Sequence, residues 1–193
     1  MTGRHGGTAS GGGTAERQAG AARRNGFLLK GTLYKDVMEL GADILASERF
    51  ARARAVPHHS KDGTIAAHCV QTAWHALRLA RWLNRRGASV SEVDVVRASL
   101  LHDIGMTEDE VFLSPPSVKG KTHPVEGARI AREEFGANET QVDAILYHMW
   151  PVCTLTPPHS AVGYVVTFAD KLCSVGDMRR RIAHTRLFRW GVS

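Results

Sequence analysis

The feature that most constrains this chain is a His-Asp pair at the end of an apolar helical run, Leu100-Leu101-His102-Asp103-Ile104-Gly105. A charged group among leucines is costly unless it is paired or binds a metal. Further residues of the same two types lie on or beside predicted helices: His68, His123, His148 and Asp170. Four imidazoles and two carboxylates placed in this way predict a ligand set for two divalent metal ions inside a helical bundle.

Apolar residues recur at helical spacing in six segments, and no segment shows a convincing strand pattern. The sequence therefore predicts an all-α domain of about six helices. The expected helices are Leu33 to Arg54, a Thr64-capped helix to Arg86, a Ser91-capped helix from Glu92 to Ile104, Pro124 to Phe135, a helix that starts at Asn138 and ends before Pro151, and Ser160 to Arg181. In this interpretation His123 is the N-cap residue before Pro124, and 58–63, 106–122 and 151–159 are loops.

The 193 residues suffice for one domain with a substantial core. We expect residues 1–26 to be a disordered extension, 27–181 to be the catalytic domain, and 182–193 to be a basic tail. The net charge of +6 comes from the ends of the chain, because 1–30 carry five basic and one acidic residue and 179–193 carry five arginines and no acid. The remaining 15 basic and 18 acidic residues give the body a charge of −3, which argues against nucleic acid as a partner.

Three cysteines without a CxxC spacing indicate reduced thiols and a cytoplasmic protein. No stretch approaches the roughly 18 apolar residues that a membrane span needs, and no hydrophobic segment of a secretory signal is present near Met1. We therefore expect no membrane association.

The composition of the ligand set predicts its chemistry. Two carboxylates and four neutral imidazoles carry a charge of about −2, so two divalent ions would leave the site at about +2 and attractive to an anion. Nitrogen-rich ligands favour Fe, Mn, Co, Ni or Zn over Mg or Ca. Paired ions lower the pKa of a bridging water and stabilise both oxygens of a displacement at phosphorus. Hydrolysis of a phosphoester or phosphoanhydride through a metal-bridging hydroxide is the expected reaction, with Asp103 and His102 as catalytic residues.

The order His…His-Asp…His…His…Asp, with the pair written His102-Asp103-Ile104-Gly105, resembles the HD-domain metal-dependent phosphohydrolases over about Thr64 to Asp177. The resemblance implies an HD-domain helical bundle in which Asp103 bridges two metals. It implies that one ion is held by His68, His102 and Asp170, and the other by His123 and His148. The chain departs from the cyclic-dinucleotide phosphodiesterases of this superfamily, because Met106 stands where they carry a lysine and Tyr147-His148-Met149-Trp150-Pro151 lacks their Gly-Tyr-Pro segment.

Two other functions stay open at this point. The same ligands resemble those of the mixed-valent di-iron oxygenases of the superfamily, which would require iron in both positions and O₂. A non-catalytic module that senses metal or nucleotide is the second alternative.

The expected substrate is a small phosphorylated molecule, a nucleotide above all, bound by basic side chains near the ligands. The candidates are Lys171, Lys119, Lys121, His59 and Lys61. Apolar residues in the last segment (Ile182, Leu187, Phe188, Trp190) suggest a homodimer contact.

Overall fold

The computed structural model describes residues 31–58, 60–107 and 116–189, and side chains over 31–58, 63–106 and 120–176. Within these residues the chain is mainly helical, which confirms the predicted all-α class. The elements in chain order are α1 (Thr32–Leu40), α2 (Ala42–Ala46), α3 (Glu48–Ala53), β1 (Pro57–His58), β2 (Ser60–Thr64), α4 (Ile65–Asn84), α5 (Glu92–Leu101), a 3-10 helix (Ile104–Thr107), α6 (Pro116–Phe135), α7 (Glu139–Leu146) and α8 (Ala161–Arg189).

The first predicted helix is in fact three short helices that break at Gly41 and Ser47. A side chain at Gly41 would lie 2.1 Å from Leu100 Cδ1, so the glycine allows this segment to lie close against α5. Ser47 is extended, and its hydroxyl accepts a hydrogen bond from Phe50 N at the start of α3. Apolar periodicity alone could not reveal these breaks, because the pattern continues across them.

The predicted N-caps of the next helices are confirmed. Thr64 accepts a hydrogen bond from Ala67 N at the start of α4, and Ser91 accepts one from Asp94 N at the start of α5. Helix α5 ends at Leu101, three residues earlier than predicted, and the chain turns through His102 and Asp103 into the 3-10 helix.

The prediction that His123 caps a helix beginning at Pro124 is wrong. Helix α6 begins at Pro116, so Pro124 is inside it and His123 lies in its interior. Proline is favoured in a first helical turn but is also found inside helices at the loss of one backbone hydrogen bond, and the sequence alone did not decide between the two. The last helix, α8, extends to Arg189 instead of Arg181.

Residues 58–63 were predicted as a loop, but 58 and 60–63 belong instead to a short antiparallel hairpin in which Pro57 pairs with Thr64 and His58 with Ser60. Two strands this short carry no alternating pattern that could be read from the sequence. The hairpin leads directly into α4 and places His58 beside the first turn of that helix.

The core forms where α4 packs against α5 and α8, while α6 packs against the 3-10 helix and α7. Its largest fully buried side chains include Phe50, Ile65, Leu77, Leu100 and Ile130. None of the three cysteines is in a disulfide, as predicted, and Cys69 and Cys173 are buried. Over the described part of the chain, no helix combines the length and apolarity needed to span a membrane.

Gly105 allows the 3-10 helix to contact the backbone of α6. A Cβ atom at Gly105 would lie 2.5 Å from the carbonyl oxygen of His123 and 2.7 Å from the amide nitrogen of Gly127. We expect Gly105→Ala to lower the free energy of unfolding by about 2 kcal/mol or more, because backbone atoms cannot move aside as side chains can. Urea unfolding measures this loss. Gly127→Ala is the matched control, because its Cβ contacts would begin at 3.3 Å; an equal loss in both variants would contradict the explanation.

Candidate metal centre

The structure brings together all six side chains that the sequence singled out as metal ligands. They lie in the interior of the bundle, and none is more than 5% exposed. They are His68, His102, Asp103, His123, His148 and Asp170.

Each side chain comes from a different part of the fold, apart from the adjacent pair. His68 lies in the first turn of α4, and His102 and Asp103 follow the end of α5. His123 lies in the interior of α6, and His148 follows the end of α7. Asp170 lies on α8. The centre therefore depends on the packing of five helices around one point.

Asp103 lies between two groups of histidines, and each of its oxygens faces one group. Oδ1 is 3.3 Å from His123 Nε2 and 3.5 Å from His148 Nε2. Oδ2 is 3.4 Å from His102 Nε2 and 3.7 Å from His68 Nε2. We call these the Oδ1 side and the Oδ2 side. Asp170 belongs to the Oδ2 side, because its Oδ1 atom lies 3.0 Å from His68 Nε2 and 3.7 Å from His102 Nε2.

These separations fit ligands that share an ion. Two nitrogen ligands about 2.1 Å from one ion and about 90–109° apart are separated by about 3.0–3.4 Å. On the Oδ1 side, His123 Nε2 and His148 Nε2 are 3.0 Å apart. On the Oδ2 side, one donor atom each from His68, His102 and Asp170 lie within 4.8 Å of one another. The centre can therefore hold a divalent ion on each side of Asp103.

Backbone carbonyls orient two of the imidazoles. His102 Nδ1 lies 2.8 Å from Ser99 O, and His148 Nδ1 lies 2.6 Å from Ile145 O. A carbonyl accepts but cannot donate, so Nδ1 carries the proton in both rings and a neutral ring presents the lone pair of Nε2 to the centre. His102 Nε2 is buried and makes no hydrogen bond within the described residues, as expected for an atom whose partner is a metal ion.

The electrostatics of the centre favour bound cations. Burial would raise the pKa of Asp103, but His102, His123 and His148 outweigh it and hold that pKa well below its ordinary value. Burial is likewise outweighed at Asp170, whose pKa is held well below the ordinary value by His102 and His68. Burial lowers the pKa of His148 to about 4, so its imidazole is neutral near pH 7. Burial opposes protonation of His102 too, yet Asp103 raises the pKa of His102 well above its ordinary value, because two carboxylates attract positive charge.

Lys171 and Ser174 contact Asp170 from the same helix. Lys171 Nζ donates to Asp170 Oδ2 at 2.7 Å and to the carbonyl oxygen of His148 at 2.9 Å, and Ser174 Oγ donates to Asp170 Oδ1 at 3.3 Å. Lys171 thus connects a ligand of the Oδ2 side to the backbone of a ligand of the Oδ1 side.

We expect Lys171→Met to weaken metal binding on the Oδ2 side about tenfold, in the range found when partners of metal ligands are removed. Lys171→Arg should restore part of the affinity, because it can still donate to Asp170. Calorimetric titration with Mn²⁺ measures the change. An unchanged metal Kd with a raised KM would instead assign Lys171 to the substrate.

The other predicted substrate contacts are not brought into the centre by any described interaction. Lys121 is exposed on α6, two residues before His123, and is therefore on a helix and not in the predicted loop. Lys119 also belongs to α6, but its side chain, like that of Lys61, lies outside the described residues. His59 lies outside them altogether. Substrate contact by these residues stays a prediction.

A further histidine, His58, lies beside the centre although the sequence pattern did not indicate it as a ligand. It is 6% exposed, and its Nε2 atom lies 3.5 Å from Asp103 Oδ2. The only signal in the sequence is a second histidine beside His59, in a segment expected to be a loop rich in hydrogen-bonding groups.

Comparison with known proteins agrees with this geometry. The family model described as HD domain matches residues 65–173, more than half of the chain, so the protein belongs to the HD-domain family. Proteins of this family are generally metal-dependent phosphohydrolases. No curated protein and no solved structure matches the chain significantly.

Proposed function

We propose that this protein is a metal-dependent phosphohydrolase that cleaves a phosphoester or phosphoanhydride of a nucleotide. The observation that carries the proposal is the position of Asp103, whose two oxygens face separate groups of imidazoles. Two divalent transition-metal ions bound there would lower the pKa of a water between them and neutralise charge on the reacting phosphate.

The side chains of the centre have distinct parts in this reaction. Asp103 would contribute one oxygen to each side, and His102 and Asp170 would bind the ion on the Oδ2 side. His123 and His148 form the Oδ1 side. Burial of all these groups excludes bulk water, which strengthens their attraction for an anionic phosphate.

Recognition of the remaining phosphates is assigned to lysines. Two of the three N–H donors of Lys171 are used within the protein, which leaves one for a substrate oxygen. Lys121 is exposed close in sequence to His123. Cys69 and Cys173 are buried and not joined in a disulfide, which supports our further proposal that the protein works in the reducing cytoplasm.

The experiment is a metal and substrate screen on the full chain. Anaerobically purified protein is loaded with Mn²⁺, Co²⁺, Fe²⁺, Ni²⁺ or Zn²⁺, and release of phosphate or nucleotide is measured from nucleoside phosphates, dinucleoside polyphosphates and simple phosphomonoesters. His159→Ala is the control variant, because this exposed histidine pairs with Asp143 outside the centre. Turnover in the parent and in this variant, with loss in His102→Ala, supports the proposal.

Two other outcomes would overturn it. Consumption of O₂ by the iron form, with an EPR signal from a mixed-valent pair and no phosphate release, would assign the oxygenase function. Tight nucleotide binding without turnover for any metal would assign the sensing function.

A further inference from the structure

A third histidine lies on the Oδ2 side of the centre. His58 is the last residue of β1 and is nearly as buried as the six ligands predicted from the sequence. Its Nε2 atom lies 3.5 Å from Asp103 Oδ2, and its ring centroid lies 4.4 Å from that of His68. Both of these neighbours are among the six ligands predicted from the sequence.

The donor atoms of these three residues form a compact set. One atom each from His58, His68 and Asp103 lie within 4.8 Å of one another, as do one atom each from His68, His102 and Asp170. The two triads share His68. Ligands about 2.1 Å from one ion are separated by at most about 4.2 Å when they lie opposite each other, so His58, His68 and Asp103 need only small movements to share one ion.

Charge and chemistry agree with such a role. Both carboxylates of the centre contribute an oxygen to the Oδ2 side: Asp103 through Oδ2 and Asp170 through Oδ1. Both of these oxygens lie close to His68 Nε2. An additional imidazole adds a neutral nitrogen ligand of the type that transition metals favour.

We propose that His58 is a metal ligand, which binds the ion on the Oδ2 side together with His68, His102, Asp103 and Asp170. This inference rests on the metal centre of the proposed function. In this arrangement the β1–β2 hairpin, which precedes the first ligand helix, contributes a ligand through His58. His58 thereby adds a ligand to the Oδ2 side, whereas Asp103 Oδ1 faces His123 and His148.

The test isolates the Oδ2 side. A parent protein carrying His123→Ala and His148→Ala lacks both histidines of the Oδ1 side and keeps the ligands of the Oδ2 side. Co²⁺ is titrated into this parent, and binding is followed by calorimetry and visible absorption. Adding His58→Ala to this parent should weaken Co²⁺ binding about tenfold or more. Removing a residue that only hydrogen-bonds to a metal ligand already weakens binding about tenfold, and removing a ligand itself should cost at least as much. The visible d–d spectrum of the bound Co²⁺ should also change, because one imidazole nitrogen is lost from the coordination shell.

His58→Gln is a second variant that keeps more of the side-chain volume and a polar end, and it should weaken binding in the same direction. Thermal unfolding in EDTA checks that both variants fold, and His159→Ala controls for removal of a histidine elsewhere. Unchanged affinity, or weaker binding with an unchanged spectrum, would overturn the assignment of His58 while leaving the centre intact. No Co²⁺ binding even to the protein without substitutions would overturn the centre itself.

Discussion

Asp103→Asn is expected to abolish hydrolysis, with a loss in kcat of about 10³-fold or more, since even one lost electrostatic contact to a transition state costs about 10²–10³-fold. The asparagine keeps the size of the side chain but has one oxygen and no charge. Its single oxygen can serve the Oδ1 side or the Oδ2 side, but not both. The two oxygens of Asp103 now serve both sides, with Oδ1 3.3 Å from His123 Nε2 and Oδ2 3.4 Å from His102 Nε2. Initial-rate kinetics with the preferred metal, together with elemental analysis of the bound metal, measure the effect.

Asp43→Asn is the matched control for that substitution. Asp43 forms a surface ion pair with Arg97, and such pairs contribute little to stability, so metal content and rate should stay at the parent values. Retention of two ions and of more than a tenth of the activity in Asp103→Asn would show that the carboxylate does not bridge the two sides.

His148→Ala is expected to reduce the bound metal from two ions per chain towards one and to lower activity about 10²-fold or more. His148 Nε2 lies 3.0 Å from His123 Nε2 and faces Asp103 Oδ1, so its removal leaves the Oδ1 side with one imidazole. The Oδ2 side, with His68 and Asp170, should keep its ion. Elemental analysis of anaerobically purified protein measures the stoichiometry.

The corresponding substitution on the other side sharpens this result. His68→Ala should remove the ion of the Oδ2 side and leave that of the Oδ1 side, and His159→Ala should remove neither. A parent with a mean of one ion, unchanged by His148→Ala, would establish a mononuclear centre and would exclude the di-iron oxygenase as well.

The ligand positions were predictable because their chemistry conflicts with their surroundings. An aspartate at position 170 between Ala169 and Leu172 in an apolar helix, or a His-Asp pair after Leu100-Leu101, is unfavourable unless another group compensates. The helix caps at Thr64 and Ser91 were predictable for a local reason, since a hydroxyl just before an apolar periodic run satisfies free backbone amides. Both kinds of inference need only a few neighbouring residues.

The features that were missed depend on contacts between distant segments. Gly41, where the first helix breaks, lies against Leu100, and no residue near Gly41 in the sequence indicates that contact. Helix α6 continues through Pro124 while it packs on the 3-10 helix and α7. His58 enters the centre because a two-residue strand turns it inward. The assignments of residues 1–26 and 182–193, and the homodimer contact, stay predictions.

Because the six predicted ligands are contributed by five helices, a metal ion bound by them would act as a tertiary cross-link. Residues from position 68 to position 170 would be joined at one point, so an unfolded chain cannot offer the same site. Each bound ion would then stabilise the folded state to an extent set by the free metal concentration. The gain is about 2.7 kcal/mol when that concentration is 100 times the Kd for the metal. The lifetime of the protein against proteolysis would therefore follow the supply of transition metal, and metal starvation would remove the protein itself as well as its activity.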